Sequence, residues 1–367
     1  MSFRRFVYHL THWESWPYSI QLVPLIPVWC WYCLRSRSWW FFTTANPSLT
    51  FGGFQGEGKR EMYDQLPPGT YPKSLYLSPL LSVAEAEQQL TTHQFTYPIA
   101  VKPNIGMASI LFRRIDSPEA FRQYHRAMPV DYLVQTFIDY PLEVTVFYYR
   151  FPEAATGTIT GFVRRQFLEV IGDGRATLWA LLQSYERGDF RLEEIRANHA
   201  NQLDYVVPDG EHYCLNYALN LTRGIDLVSL AHEKDDRLLR VFDQLSHYTG
   251  HFYYGRYDVK CQSVDDLKRN QNFTILEFNG AGAAPHHIYN SGHSLFRAYQ
   301  IILHHWRVLY QISAENYRRG QPRWTFRQGW EFLKASEQHF QKLRQVETEL
   351  AATLKPHEAV GEDVPRF

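Results

Sequence analysis

The sequence predicts an α+β fold, and three observations carry that expectation. Two short segments near the C-terminal end, Tyr254 to Lys260 and Thr274 to Gly280, alternate polar and apolar residues at the period of a strand. An apolar extended run, Tyr97 to Pro103, delivers one lysine and breaks into a Pro/Gly loop at Asn104-Ile105-Gly106. Beyond residue 293, Ser294 to Tyr317 and Trp324 to Leu350 have helical periodicity, with Arg318-Arg319-Gly320-Gln321-Pro322 as a breaker. A chain of 367 residues with 45% hydrophobic content suits one multi-subdomain enzyme or two domains with a real core. Lys+Arg and Asp+Glu both total 38, so no global field draws the chain to nucleic acid.

Residues 1–45 form an apolar, aromatic-rich arm. Phe3, Phe6, Leu10 and Trp13 recur at helical spacing beside Arg4 and Arg5, as in a helix lying on a membrane surface. Pro17 to Leu34 is apolar but interrupted by Gln21, Pro24 and Pro27, and is shorter than the ~20 apolar residues of a spanning helix. It has no small-residue cleavage site of the signal-peptide kind. Basic residues flank it on both sides, Arg35 and Arg37 following, which suits a segment that dips into a bilayer and returns with Trp29, Trp31, Trp39 and Trp40 near the headgroups. The alternative is a hydrophobic arm packed on the catalytic domain or on a dimer partner. Cys30 and Cys33 have Cys-x-x-Cys spacing, but no βαβ pattern surrounds them, and Cys214 and Cys261 stand alone, so neither a disulfide framework nor a zinc site is expected.

Residues 46–95 read as a connecting segment. Within it, Gly53-Phe54-Gln55-Gly56-Glu57-Gly58-Lys59-Arg60 comes close to a phosphate-binding P-loop, yet Arg60 occupies the Ser/Thr position and no strand leads into the loop. A glycine-rich substrate loop is the better account. Residues 96–165 form a small α+β subdomain and 166–295 a larger mixed-sheet one, followed by a helical extension over 296–367. Lys102, at the end of its strand, can hold phosphate as a point charge while the next loop brings backbone N–H groups to the same phosphates. In Val170 to Leu178 the run Gly172-Asp173-Gly174-Arg175 allows a tight turn with exposed amides, and Arg175 could reach a phosphate; the alternative is an ordinary turn with Thr177 capping the next helix.

At the two late strands, residues two apart share a face, so Arg256 with Asp258, and Glu277 with Asn279, each project one way, while Tyr257, Val259, Leu276 and Phe278 can pack on the other. If the strands pair, Asp258, Glu277 and Asn279 form a hard oxygen cluster of the kind Mg²⁺ prefers, with an arginine beside it. Two amphipathic strands with a solvated charged face are the bland alternative.

In this order the motifs resemble the ATP-grasp superfamily, most closely its D-alanine-D-alanine ligase branch, over about residues 57 to 295. The resemblance implies two α+β subdomains clamping ATP in the cleft between them. It implies that Lys59 and Lys102 are the nucleotide-binding lysines, that Tyr132 to Ile138 is the hinge strand reading adenine (Gln135, Phe137 and Ile138), and that Glu143 accepts the ribose hydroxyls. Arg256 matches the arginine that steadies charge on the reacting carboxylate, and Asp258, Glu277 and Asn279 match the ligands of Mg²⁺ or Mn²⁺. The Gly172 to Thr177 segment looks like the loop of cyanophycin synthetases and related peptide-forming ligases, which makes Arg175 a catalytic candidate. His286 lies just past the metal strand, where a substrate loop is expected; His304 and His305 read as surface or core residues.

The implied chemistry is an ADP-forming carboxylate-amine ligation through an acyl phosphate, on small-molecule substrates. It is expected in the cytoplasm, peripheral on the inner face of the membrane, with a homodimer compatible with the tail helices. A kinase that phosphorylates a hydroxyl, or a nucleotide-binding module without turnover, are the other readings. Fewer than 60 residues precede Lys59, where most such ligases carry a whole domain. The loop after Lys102 reads Gly106-Met107-Ala108-Ser109, less glycine-rich than usual, and Gly280 to His287 differs from the loop that grips D-alanine, so a D-alanine substrate is not implied.

Overall fold

A computed structural model describes residues 13–16, 18–166, 169–184, 196, 202–215, 226–289 and 292–353. The amphipathic stretch read at Phe3, Phe6 and Leu10 lies outside them. The strands are β1 (Ser74–Leu77), β2 (Ile99–Pro103), β3 (Arg113–Ile115), β4 (Tyr132–Thr136), β5 (Leu142–Tyr149), β6 (Thr158–Gln166), β7 (Glu169–Ile171), β8 (His212–Cys214), β9 (Asp226–Ser229), β10 (Tyr254–Cys261) and β11 (Phe273–Asn279). The longer helices are α1 (Ile26–Ser36), α2 (Val83–Thr92), α3 (Pro118–Ala127), α4 (Leu178–Ser184), α5 (Asp236–His247), α6 (Leu295–Arg318) and α7 (Phe326–Thr353). The chain divides into two compact α+β units: one takes residues 1–57, 61–71 and 139–326, the other 58–60, 72–138 and 327–367. These boundaries differ from those read at 95, 165 and 295. Strands β5 and β6 belong with the later strands, and α7 belongs with the early ones.

The smaller unit is a four-stranded antiparallel sheet in the order β1-β4-β2-β3. Its apolar face (Leu75, Leu77, Ile99, Val101, Ile115 and Val134) packs with Ala86 and Leu90 of α2, Phe121 of α3, and Phe340 and Leu343 of α7. Helix α2 starts at a capping box, with Ser82 accepting from Glu85 N while Glu85 takes Ser82 N; α3 starts at Ser117 with proline in its first turn.

The larger unit is built on a five-stranded sheet, β11-β10-β5-β6-β9, also antiparallel throughout. One face is aromatic and aliphatic: Tyr257 lies opposite Val146 and Phe278, Val259 opposite Val144, and Phe242 of α5 packs its ring 5.1 Å from Tyr257. The other face is polar and carries the candidate site.

The N-terminal arm folds onto this unit. In α1, Trp29, Tyr32, Cys33 and Ser36 recur at helical spacing and turn inward, where Tyr32 stacks on Tyr310 at 4.6 Å and Trp29 meets Trp306 at 5.0 Å. The opposite side leaves Trp31 and Leu34 exposed. Helix α6 presents a matching stripe, Ala298, Ile302, His305, Leu309, Ile312 and Asn316. Helix α1 of the arm therefore packs on protein along one face and leaves the other exposed. No helix among the described residues is long and apolar enough to cross a membrane.

Asn46, fully buried, ties the arm to the start of β10. Its Oδ1 accepts from the amides of Tyr253 (3.0 Å) and Tyr254 (3.1 Å), and its Nδ2 donates to the carbonyls of Tyr254 (2.9 Å) and Gly52 (3.1 Å). Nearby, Ala281 and Gly282 donate their amides to the carbonyls of Gly52 and Gly53. A Cβ on Gly280 would lie 2.7 Å from Gly52 O, and one on Gly282 2.1 Å from Phe54 O. The glycines at 52, 53, 280 and 282 thus serve a close crossing of two backbones.

Candidate active site

The polar face is a register of three rows. Asp258 pairs directly with Glu277 across β10 and β11, and Arg256 with Asn279, so the four side chains share one face as strand alternation required. The ladder shifts after Asp258, because Val259 pairs with Ile275 and Leu276 is the extra residue of a β-bulge. Tyr63 clamps that bulge by donating to Leu276 O at 2.7 Å. On the other side of β10, Arg256 faces Phe147, Asp258 faces Thr145, and Lys260 faces Glu143; β6 then sets Gly161, Val163 and Arg165 opposite those three β5 residues.

Three cations, Arg256, Lys260 and Arg165, accordingly share the face with three carboxylates, Asp258, Glu277 and Glu143. Arg256 grips Asp258 in a bidentate pair, Nε to Oδ1 at 2.8 Å and Nη2 to Oδ2 at 3.0 Å. Asn279 Nδ2 donates to Asp258 Oδ2 at 3.3 Å. Arg165 donates to Glu143 at 2.7 Å and stands 4.0 Å from Asp258. Burial pushes the Glu143 carboxyl upward, Arg165 pulls it back, and Asp258 pushes it up again. Glu143 Oε2 is buried without a hydrogen-bond partner.

His286 sits within this network. Arg256 Nη1 lies 2.8 Å from His286 Nε2 and 3.4 Å from Ala284 O. Arginine can only donate, so Nε2 accepts and the ring is neutral. Burial, followed by the charges of Arg256 and Arg165, lowers the His286 pKa well below its usual range, in keeping with that role. The ring therefore aims the guanidinium.

The donor set at Asp258, Glu277 and Asn279 is all oxygen once the Asn279 carboxamide turns its Oδ1 inward, and it fits a hard divalent cation that keeps several waters. Among the described residues no three His, Cys, Asp or Glu side chains converge as a metal group, so the fit rests on two carboxylates and one amide.

The other predicted residues occupy different surroundings. In the smaller unit, Lys102 of β2 pairs with Leu133 and shares a face with Gln135 of β4, whose side chain donates to Ser74 at 2.7 Å. Phe137 lies under the Arg114 guanidinium at 4.8 Å, and Ile138 closes the unit before Asp139 begins the other. Lys59 is buried, its amide donating to Asn104 O at 2.9 Å and its Nζ 3.5 Å from Gly106 O. The loop after Lys102 holds Ala108 (φ 50°), Ser109 (φ 59°) and Leu111 (φ 55°) in the left-handed region without a glycine, a conformation that stores strain.

Arg175 is exposed, on a small subcluster formed by β7, β8 and α4. Asp173 accepts from the amides of Arg175 (2.9 Å) and Ala176 (2.7 Å), and Thr177 caps α4 through Ala180 N. The amides expected to be open are thus occupied by Asp173. No hydrogen bond or ion pair among the described residues joins Arg175 to the carboxylate cluster.

Two participants escaped the sequence reading: Arg165 and the neutral state of His286. Arg165 carried one signal, its even spacing from Val163 and Gly161 along β6, but the partner strand that makes it matter lies 22 residues earlier at Glu143. Nothing local marked His286 as a partner of Arg256.

No family model matches the chain, and no curated protein matches it in sequence. Among solved structures it is similar to a bifunctional glutathione synthetase from Pasteurella multocida, at 11% identity and TM-score 0.41, covering 71% of this chain and 38% of that one. It is also similar to D-alanine-D-alanine ligase from Bacillus anthracis, at 12% identity and TM-score 0.38, covering 69% and 67%. A third likeness is to VanG D-Ala:D-Ser ligase from Enterococcus faecalis, at 12% identity and TM-score 0.36, covering 66% and 57%. The chain thus spans well under half the length of the glutathione synthetase.

Proposed function

We propose that the chain is an ADP-forming ATP-dependent ligase that joins a carboxylate to an amine through an acyl phosphate. The observation that carries this reading is the register that sets Arg256 and Asp258 opposite Asn279 and Glu277 on one buried face. In the reaction a carboxylate oxygen attacks the γ-phosphorus and the bond to ADP breaks. The amine nitrogen then attacks the acyl carbon, phosphate leaves, and the amine proton passes to solvent. Asp258, Glu277 and Asn279 would hold Mg²⁺ or Mn²⁺, which when bound offsets charge on the phosphoryl oxygens.

Arg256 supplies a fixed positive charge to the reacting carboxylate and to the tetrahedral centre, held in place by His286 and Ala284. Glu143, with Oε2 unpaired, offers an acceptor suited to ribose hydroxyls. In the smaller unit, Lys59 and Lys102 serve as phosphate contacts, and the backbone of Gln135, Phe137 and Ile138 serves the adenine edge; Arg175 is retained as a contact from the Gly172 to Thr177 turn. The exposed side of α1, with Trp31 and Leu34 beside Arg35 and Arg37, supports peripheral contact with an anionic lipid surface, and the tail helices leave a homodimer open.

The test is product analysis with Mg·ATP, a carboxylate-containing cell fraction and hydroxylamine. ADP and a hydroxamate formed in step by the native chain, and by neither Asp258→Asn nor a boiled control, is the expected result. ADP formed without hydroxamate but with phosphate on a hydroxyl would transfer the assignment to a kinase. Nucleotide binding with no product from any fraction would leave a binding module. For the lipid contact, co-sedimentation with phosphatidylglycerol vesicles should fall when Trp31 and Leu34 are both changed to serine; unchanged sedimentation would remove it.

A further inference from the structure

Along β10 the same face that carries Asp258 and Arg256 continues to Tyr254, and there the surroundings turn apolar. A cavity of about 240 Å³ opens beside Tyr254. Three parts of the chain remote in sequence wall it: Ile26 and Trp29 of the arm, Ala283 and Pro285 of the loop after Asn279, and Ile302 with His305 of α6. The loop that walls it also reaches the charged groups. Ala284, between two lining residues, offers its carbonyl to Arg256 at 3.4 Å. Ile26 lines the cavity and is also half exposed, alongside Val23 and Ile20, so the mouth continues into the apolar outer side of the arm.

One wall residue is out of keeping with an ordinary core. His305 is buried, and neither of its ring nitrogens has a hydrogen-bond partner. It packs edge-on against Phe147 at 4.3 Å. An imidazole stripped of water and left unpaired costs stability, on the order of 1–3 kcal/mol, and a ligand atom that pairs with it recovers that cost. A cavity that is otherwise hydrocarbon, with a single unpaired imidazole in its wall, suits an apolar group that carries or adjoins one polar atom.

We propose that this cavity receives the apolar group of the carboxylic acid substrate, so that the acid is an amphiphile with an alkyl or arylalkyl group next to the reacting carboxyl. The inference rests on the ligase reading above and names its substrate class. The spacing agrees, because Tyr254 and Arg256 are two residues apart on an extended strand, about 7 Å. A short run of methylenes spans that distance, with the carboxyl at Arg256 and the hydrocarbon in the cavity.

The experiment compares acetate, butyrate, octanoate and 4-phenylbutyrate as acids, with Mg·ATP and hydroxylamine, alongside calorimetric binding of octanoate and of ATP to the same full-length chain. Burial of six further methylenes predicts kcat/KM at least about 100-fold higher for octanoate than for acetate. Ala283→Phe fills the cavity and should collapse the octanoate-to-acetate ratio by about 10-fold or more while the Kd for ATP holds. Ala283→Leu, a smaller intrusion, should give a partial collapse and serves if the phenylalanine variant fails to fold. Hydroxamate from acetate and octanoate at equal efficiency, unmoved by either variant, would overturn the cavity assignment and leave the ligase reading standing. If no acid gives hydroxamate, the ligase reading fails, and calorimetry still decides the cavity: octanoate bound by the native chain and lost in the Ala283 variants supports it, and no octanoate binding overturns it.

Discussion

The two ends of β10 meet the same side of one sheet with opposite chemistry. At the Asp258 end Arg256 pairs with Asp258 along its own strand and Arg165 with Glu143 across β5 and β6, while Asp258 and Glu277 face each other, and the arrangement follows from the two-residue period of a strand and its register. At the Tyr254 end the neighbouring rings are Phe147 of β5 and His305, with His287 beside His305, the two imidazoles brought there by a loop and a helix rather than by pairing. The difference teaches how each end is stabilised. The charged end is held by ion pairs whose removal leaves a buried charge alone. The histidine end is held by keeping its rings neutral.

The largest effect should come from the charged end. Glu277→Gln should lower ligase turnover by about 10³-fold or more, by analogy with loss of other groups that stabilise transferring charge, while circular dichroism and Tm stay near the native values. Full activity in that variant would remove Glu277 from the site and with it the contrast.

The histidine end should instead report through pH. Burial, then Lys234, His293 and His304, lowers His287 to about 4, and burial also lowers His286 and His305 well below the usual value. An unfolded histidine, with pKa ≈ 6.5, takes up its proton first as pH falls, so stability is full above that value and is lost progressively between about pH 6.5 and 4. His287 alone corresponds to a loss on the order of 3 kcal/mol across that window. Denaturant titrations at several pH values would measure it, and a flat profile from pH 7 to 4.5 would contradict the neutral state of these rings.

A further contrast comes from Gly161, opposite Phe147, where an added Cβ would lie 2.1 Å from His287 Nδ1. Gly161→Ala should cost about 2 kcal/mol in urea unfolding, because the added methyl drives the His287 ring off its packing beside Phe147 and His305. Smallest of all, His305→Phe should leave stability unchanged or raise it by about 1 kcal/mol, since the two unpartnered nitrogens disappear and the ring shape remains. A clear destabilisation there would mean that His305 pairs with something in solution.

The charged end was legible in the sequence because its information is local. Arg256-x-Asp258 and Glu277-x-Asn279 state their own face, and the apolar partners Tyr257 and Phe278 state the other. The helices at 295–318 and 326–353 were legible for the same reason. The histidine end was not, since its walls come from residues near 26, 283 and 305, and no local pattern tells that they converge. The arm shows how the same residues can be read two ways. Its tryptophans suit a membrane boundary, yet Trp29 and Tyr32 meet Trp306 and Tyr310, while Trp31 and Leu34 retain the outward role. The division at Ile138 was missed because β5 alternates no differently from β4; only pairing with β10 assigns it to the larger unit.

Two asparagines near the start and end of this face carry different prospects of chemical ageing. Spontaneous conversion of asparagine to aspartate proceeds by ring closure onto the amide nitrogen of the following residue, which needs an N–H. Asn46, the four-bond tie beneath β10, is followed by Pro47, which has none, so that route is closed where an extra negative charge would face the carbonyls of Gly52 and Tyr254. Asn279 is followed by Gly280, the least hindered neighbour such a closure can have, and no side chain can be added there because Gly52 O occupies the space. Stored protein would therefore gain charge on the polar face first, as a third carboxylate forms beside Asp258 and Glu277 while the tie under the strand stays intact.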